Sequence, residues 1–263
     1  MIDLHTHVLP GVDDGPGTVE GSIELARAAA ADGTTTLVAT PHVSWEFPEN
    51  DAARIAAAVE GAQRALDAAG VDVRVRAGGE VALTRAHDLD DDELRALRLG
   101  GGDWLLAECP LSSGAIGFDS ALLTLAARGH RIVLAHPERA PLLQRDPETL
   151  RRLVSGGMLT SITAGALLGR FGSTVRRFAL WMLEEDLVHN VASDAHDARR
   201  RPPGMREALE AAERELPGVA ARVEWLTLSV PGAILDGDPI PDAPGPVPAP
   251  RRRGLFRRAA RQR

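Results

Sequence analysis

Short apolar runs alternate along the chain with longer stretches whose apolar residues recur at helical spacing. The runs Ile2–His5, Thr35–Thr40, Val71–Ala77, Asp103–Glu108, Arg131–Ala135, Met158–Thr163 and Leu187–Ser193 read as strands. The stretches Thr18–Ala31, Asp51–Ala69, Asp91–Leu97, Ser120–Ala127, Pro147–Val154, Ser173–Glu184 and Pro203–Leu216 read as helices. Thr18 stands where a helix cap is expected, and Ile23, Ala26 and Ala30 share one face of the helix that follows. Strands that alternate with helices predict parallel βα units. Seven such units predict an α/β fold, a distorted (β/α)7 barrel of TIM type; an open doubly wound sheet is the other arrangement the pattern allows.

Composition sharpens this picture. The 263 residues are 44% apolar and 25% charged, which is ordinary for a folded domain and excludes a collagen-like or disordered chain. Residues 235–250 are rich in Pro, Gly and Asp, and residues 251–263 carry seven Arg and no acid. The expected organisation is a barrel over residues 1–235 followed by a Pro-rich, then Arg-rich, disordered tail over 236–263. Residues 1–250 hold 23 Arg against 37 acids, a net charge of −14 that argues against nucleic acid as a partner. The basic tail, with Leu255 and Phe256, is a candidate for weak contact with an anionic membrane. No apolar run is long enough for a transmembrane helix, and the first residues lack the pattern of a secretory signal. With Cys109 as the one cysteine, a cytoplasmic location is expected. An oligomer is compatible with the sequence. The chain has no Lys and no Tyr, so Schiff-base and Tyr-based catalysis are excluded.

The chemistry sits at the ends of the expected strands. His5-Thr6-His7, Thr40-Pro41-His42, Gly78-Gly79-Glu80, Glu108, His136-Pro137-Glu138-Arg139 and Ser193-Asp194-Ala195-His196 follow or close six of the seven. In a parallel barrel these ends share one face, where active sites are built. After the remaining strand, Thr163-Ala164-Gly165 is small enough to face a substrate. His5 and His7 are two apart on extended backbone and so point to the same side. A lone His at a strand end is more often a hydrogen-bonded structural residue, but five of the eight fall at such ends. His87, His130 and His189 read as surface or structural. Asp13-Asp14-Gly15 could be a turn alone; its closeness to the His pair makes Asp14 a candidate ligand. The set His5, His7, Asp14, His42, Glu80, Glu108, His136, Asp194 and His196 exceeds what one ion takes, and two or three divalent ions such as Mn, Fe or Zn suit it. A thiol nucleophile is excluded, because no Arg lies at the phosphate-loop spacing from Cys109.

The ordered motifs MIDLHTHVLPGVDDG, TTTLVATPH, GGEV, LLAECP, VLAHPER, SITAGALLGRFG and VASDAH followed by RRRPP lie within residues 1–203, in a match that covers about residues 1–235. In them the chain resembles the PHP (polymerase and histidinol phosphatase) superfamily. Within that superfamily it is similar to the bacterial manganese-dependent tyrosine-protein phosphatases of capsule and exopolysaccharide operons. The resemblance implies the PHP fold and a site for three divalent ions, Mn2+ foremost. His5, His7, Glu80 and Asp194 would surround one; Glu80, Glu108 and His136 a second; Asp14, His42 and His196 the third. Arg139 and Arg201 would grip the phosphoryl group, with Arg199 or Arg200 as substitutes for Arg201, and Arg170 would line the mouth. Where the family often has a second His after the TPH, this chain has Val43.

Three ions and four carboxylates leave the site near +2, which suits a phosphate monoester dianion. A metal-bound hydroxide, available near neutral pH, is expected to attack phosphorus, with His42 or His196 as an alternative proton donor. A phenol leaving group, pKa about 10, needs less protonation than an alcohol, which favours phosphotyrosine. The implied partner is a phosphotyrosine protein, a membrane-associated tyrosine kinase that controls capsular or exopolysaccharide synthesis. The competing readings are a phosphoesterase acting on a small metabolite such as histidinol phosphate, and a non-catalytic metal-bound scaffold that regulates a kinase.

Overall fold

The computed structural model describes residues 1–115 and 117–245. Nine short strands form seven staves. They are β1 (Ile2–Thr6), β2 (Thr36–Ala39), β3 (His42–Val43), β4 (Arg74–Ala77), β5 (Glu80–Ala82), β6 (Trp104–Glu108), β7 (Arg131–Ala135), β8 (Leu159–Thr163) and β9 (Asn190–Ala192). One parallel sheet runs β1-β2-β4 and a second runs β3-β5-β6-β7-β8-β9. The second stave breaks between β2 and β3 at Thr40-Pro41, because proline has no N–H for the ladder. The third breaks between β4 and β5 at Gly78-Gly79. A Cβ on Gly78 would lie 3.1 Å from Val38 Cγ1, and one on Gly79 would lie 3.1 Å from Leu97 Cδ2 and from Val43 Cγ2. The ring closes between the first and last staves, where Asp194 N donates to His5 O at 2.8 Å and His7 N donates to Ala195 O at 2.9 Å. The fold is therefore a distorted seven-stave βα barrel closed between its first and last staves.

Leu4, Leu37, Val38, Leu105, Leu106, Val133, Leu134, Ile162 and Val191 fill the staves and are fully buried. The predicted helices surround them, and capping sets their starts. Thr18 accepts from Gly21 N ahead of Val19–Asp32, Asp51 accepts from Arg54 N ahead of Ala52–Ala68, and Asp90 forms a capping box with Glu93 ahead of Asp91–Ala96. Residues 219–236, unassigned by periodicity, form helical turns and the helix Val230–Asp236, whose Val230 and Ile234 are buried against the barrel.

The segment read as the start of a free tail is held where it is described. The Trp225 indole N–H donates to Pro241 O at 2.9 Å, and the buried Arg222 guanidinium donates to Gly245 O and pairs with Asp186. A buried indole N–H and a buried guanidinium both need acceptors, and this stretch of backbone supplies them. Residues 246–263, with the expected Arg-rich tail and its membrane contact, lie outside the described residues. Among the described residues no helix is long and apolar enough to cross a membrane.

Of the three histidines set aside, His87 is exposed. His130 is buried beside Asp91, with 3.0 Å between Nε2 and the carboxylate. His189 Nδ1 accepts from Thr160 N at 3.2 Å. Burial lowers the pKa of His189 from 6.5 to about 4. Between those values the unfolded chain binds a proton that the folded His189 refuses, so stability falls as the pH drops from 6.5 towards 4, by up to roughly 3 kcal/mol. His189→Asn keeps an acceptor for Thr160 without a titrating ring. Its denaturation midpoints at pH 4.5 and pH 7 should lie closer together than those of the parent chain; an unchanged gap would refute this role.

Candidate metal centre

Every stave except the one ending in β8 brings a metal-ligating side chain to the same barrel mouth. His5 sits in β1 and His7 just beyond it; His42 opens β3; Glu80 opens β5; Glu108 closes β6; His136 follows β7; Asp194 and His196 follow β9. Asp14 comes in from the loop after β1. Among the described residues, two of the three non-glycine residues with positive φ are His136 (36°) and Asp194 (51°). Such backbone costs on the order of 1 kcal/mol or more and persists where its surroundings enforce it. Here it turns two staves so that their side chains face the mouth.

The nitrogens and oxygens converge. His5 Nε2 and His7 Nε2 are 3.3 Å apart. Two nitrogens each about 2.1 Å from one ion would be separated by roughly this much. Glu80 Oε2 is buried and no hydrogen bond reaches it, yet His5 Nε2, His7 Nε2 and His42 Nδ1 lie 3.3, 3.4 and 3.0 Å away. Asp194 Oδ1 is 3.6 Å from His5 Nε2 and 3.5 Å from His7 Nε2. Asp14 Oδ1 lies 3.4 Å from His42 Nε2 and 3.1 Å from His196 Nε2. Unaligned imidazole and carboxylate atoms packed this closely, with no thiolate among them, fit shared divalent cations.

Three groups have ligand atoms within 4.8 Å of one another: His7, Asp14, His42 and His196; His5, His7 and Glu80; and His42, Glu80 and Glu108. The first contains the expected trio Asp14, His42 and His196, and the second contains three of the four residues expected around another ion. The third differs from expectation, since Glu108 groups with His42. His136 instead contacts Glu80 directly, with 2.7 Å between Nε2 and Oε1. Glu80 opens β5 and His136 follows β7, the two strands that flank β6.

The electrostatics follow from burial and pairing. Burial works against a charged His7, but Asp13, Asp194 and Glu80 outweigh it and raise its pKa. Burial likewise opposes a charged His42, yet Asp14 and Glu80 raise it to about 10. Burial raises Glu108 to about 7, helped by the neighbouring Glu80 charge. Asp194 is driven the other way: His5 and His7 overcome its desolvation and hold it well below the usual carboxylate range. Cations can replace protons as the compensating charge in this cluster.

Three acids beside the cluster escaped sequence reading. Asp13 Oδ2 lies 2.6 Å from His7 Nδ1 and accepts from His42 N at 3.1 Å, while its Oδ1 accepts from Gly15 N at 3.0 Å. Gly15 is required there, since a Cβ would lie 2.3 Å from His7 O. Asp3, buried in β1, accepts from His5 N and Ser193 N across the ring closure. Glu138 accepts from Thr163 N and Thr163 Oγ1 at 2.9 and 2.8 Å. Their signal was an acid inside a motif of ligands or inside a buried strand.

The cluster forms one wall of a pocket of about 620 Å³ that Arg139 and Arg201 also line. Arg139 Nη1 and Arg201 Nη2 donate to the same oxygen, Asp194 Oδ2, at 2.7 and 2.8 Å. The Arg139 guanidinium lies over the Phe171 ring, 4.3 Å from its centroid. Gly165 makes room for that ring, because a Cβ would lie 2.9 Å from Phe171 Cε2. The small residues after β8 thus serve Phe171 and do not line the pocket. Arg170, expected at the mouth, does not line it either. Its Nη1 donates to Pro202 O and Pro203 O at 3.0 and 3.4 Å and so braces the loop that carries Arg201. Arg199 and Arg200 are exposed and outside the pocket.

Fold and site define a βα barrel with a cluster of His, Asp and Glu side chains at its C-terminal mouth that could hold metal ions. Residues 1–235 match the family described as capsular polysaccharide synthesis, CpsB/CapC, and the chain belongs to it. It is 34% identical over 215 residues to the tyrosine-protein phosphatase YwqE of Bacillus subtilis, covering 82% of this chain and 85% of that one. It is 30% identical over 204 residues to the putative tyrosine-protein phosphatase CapC of Staphylococcus aureus, covering 77% and 79%. A solved structure from work on YwqE of Bacillus subtilis and CpsB of Streptococcus pneumoniae, described as unique metal-dependent tyrosine phosphatases, superposes with a TM-score of 0.83 at 32% identity, covering 95% of this chain and all of that one. Molinate hydrolase, at 12% identity and a TM-score of 0.57 over 90% of this chain and 73% of its own, shares the fold alone.

The Asp13 contact makes a prediction. Asp13→Asn loses the charge that orients and polarises His7, and should weaken Mn2+ binding by about 10- to 100-fold. Calorimetric titration of the metal-stripped chain measures it, and unchanged affinity would remove Asp13 from the centre.

Proposed function

We propose that this chain is a metal-dependent protein-tyrosine phosphatase of capsular or exopolysaccharide synthesis, active in the cytoplasm on a phosphotyrosine protein, a membrane-associated tyrosine kinase. Its catalytic unit is the barrel over residues 1–235. The observation that carries the reading is the convergence of Arg139 and Arg201 on Asp194 at the edge of the imidazole–carboxylate cluster, inside one pocket. Two fixed guanidiniums beside a cation-binding cluster suit the oxygens of a phosphate monoester. The activities named for YwqE, CapC and CpsB support the same assignment.

Ions held by His5, His7, Asp14, His42, Glu80, Glu108, His136, Asp194 and His196, Mn2+ by preference, would supply Lewis-acid polarisation and lower the pKa of water. The chain's own residues do the rest. Arg139, steadied on Phe171, and Arg201, braced through Arg170, orient the phosphoryl group and meet its spreading charge. Asp194 holds both guanidiniums until substrate arrives. With His42 and His196 engaged as ligands, neither would be free to protonate the leaving group. Phenolate, pKa about 10, departs more readily without one than an alkoxide.

The test is phosphate release from a phosphotyrosyl peptide and from histidinol phosphate, with Mn2+ and with EDTA. The peptide should turn over with Mn2+ only, and Arg139→Ala or Arg201→Ala should lower kcat/KM by about 10²- to 10³-fold. Turnover of histidinol phosphate alone would replace this reading with that of a metabolite phosphatase. Metal binding without turnover of either substrate would leave a scaffold.

A further inference from the structure

Beyond the metal-ligating cluster, the pocket has an apolar lip. Among the described residues five large hydrophobic side chains are exposed, and two of them, Trp45 (57%) and Leu111 (46%), line this one pocket. They come from different loops, Trp45 from the one after β3 and Leu111 from the one after β6. Trp104 and Trp225 are buried, in contrast to Trp45. An exposed indole at a pocket rim marks a binding surface more often than a packing accident. The Trp45 ring is also steadied, since the Arg85 guanidinium lies 4.6 Å from its centroid. More than half of the side chain nonetheless stays open.

Burial grades outward along the same wall, from Glu80 (1%) and Asp194 (4%) to Trp45. A phosphate gripped by Arg139 and Arg201 therefore presents the alcohol half of its ester towards the lip. A phenyl ring is flat, apolar and long enough to use such a surface; the one or two carbons of a serine or threonine ester are not.

We infer that Trp45 and Leu111 form an aryl-binding lip that receives the phenyl ring of phosphotyrosine and favours aryl over alkyl phosphate monoesters. This rests on the tyrosine-phosphatase reading. The ring meets the same surface in the ground state and in the transition state, so its contribution appears in KM with little change in kcat.

The experiment uses the full chain loaded with Mn2+, and measures calorimetrically the affinities for phenylphosphonate and methylphosphonate, which no phosphatase cleaves. The parent chain should prefer the phenyl compound. Trp45→Ala should reduce that preference about tenfold, Leu111→Ala should reduce it less, and Trp45→Phe should retain most of it. In the peptide assay Trp45→Ala should raise KM about tenfold with kcat held within about twofold. No phenyl preference in the parent chain, or equal loss for both phosphonates in Trp45→Ala, overturns the lip even if the phosphotyrosyl peptide is hydrolysed. A parent chain that prefers the phenyl compound but hydrolyses no phosphotyrosyl peptide overturns the tyrosine-phosphatase reading and leaves the lip as an aryl site for another monoester.

Discussion

A single buried carboxylate organises the mouth of this barrel. Glu80 receives His136 on one oxygen and faces His5, His7 and His42 with the other, so four imidazoles from three staves meet on one side chain. Glu80 is 1% exposed, and an ionised carboxylate at that depth is tolerated only with matching positive charge. The barrel is shaped to bring that charge in. The Gly78-Gly79 break lets the stave carrying Glu80 bend between Val38, Val43 and Leu97. The ring closure by Asp194 and His7 backbone fixes the first and last staves around it. The left-handed turns at His136 and Asp194 aim the remaining groups inward.

Asp194 joins the two halves of the site. Its Oδ1 faces His5 and His7, and its Oδ2 takes both Arg139 and Arg201. Any cation drawn to Oδ1 would compete with the guanidiniums for the same charge. Under the proposed function, a filled cluster would loosen the hold on the two arginines and leave them for phosphoryl oxygens. Phe171 and Arg170 limit how far they move, one from beneath Arg139 and the other through the backbone of the Arg201 loop.

What was legible in the sequence is what periodicity and strand ends encode. The seven βα units and the gathering of His5, His7, His42, Glu80, Glu108, His136, Asp194 and His196 at one mouth follow from alternation and from the parallel rule. The two broken staves were read as single strands, because a Pro and a Gly pair inside a run look like strand ends and not like kinks. Arg170 was misplaced because an arginine in a loop reads the same whether its guanidinium faces a substrate or a carbonyl. Asp13 was passed over beside Asp14, since neighbours in a turn differ only in the side to which the turn sends them. The helix Val230–Asp236 lay hidden in a short apolar run with an internal Pro and Gly. The Trp225 and Arg222 contacts that hold residues 241–245 depend on tertiary burial, which local composition does not register.

The ligands and the rim occupy different parts of the same fold, and that division separates chemistry from choice of substrate. Strand ends are held rigidly by the ladders, so they suit groups that must keep ångström-scale spacing around ions. The loops after β3 and β6 are free of that constraint and carry Trp45, Glu46, Leu111 and Ser112 to the edge of the pocket. Molinate hydrolase and dihydropyrimidinase, at 12% and 14% identity, superpose on the staves with TM-scores of 0.57 and 0.55. A barrel held in common at such low identity does not determine the reaction. Under the proposed function, the carriers of the reaction are the nitrogen-rich strand ends and the arginine pair on Asp194, and the part of the substrate that does not react is left to the loops.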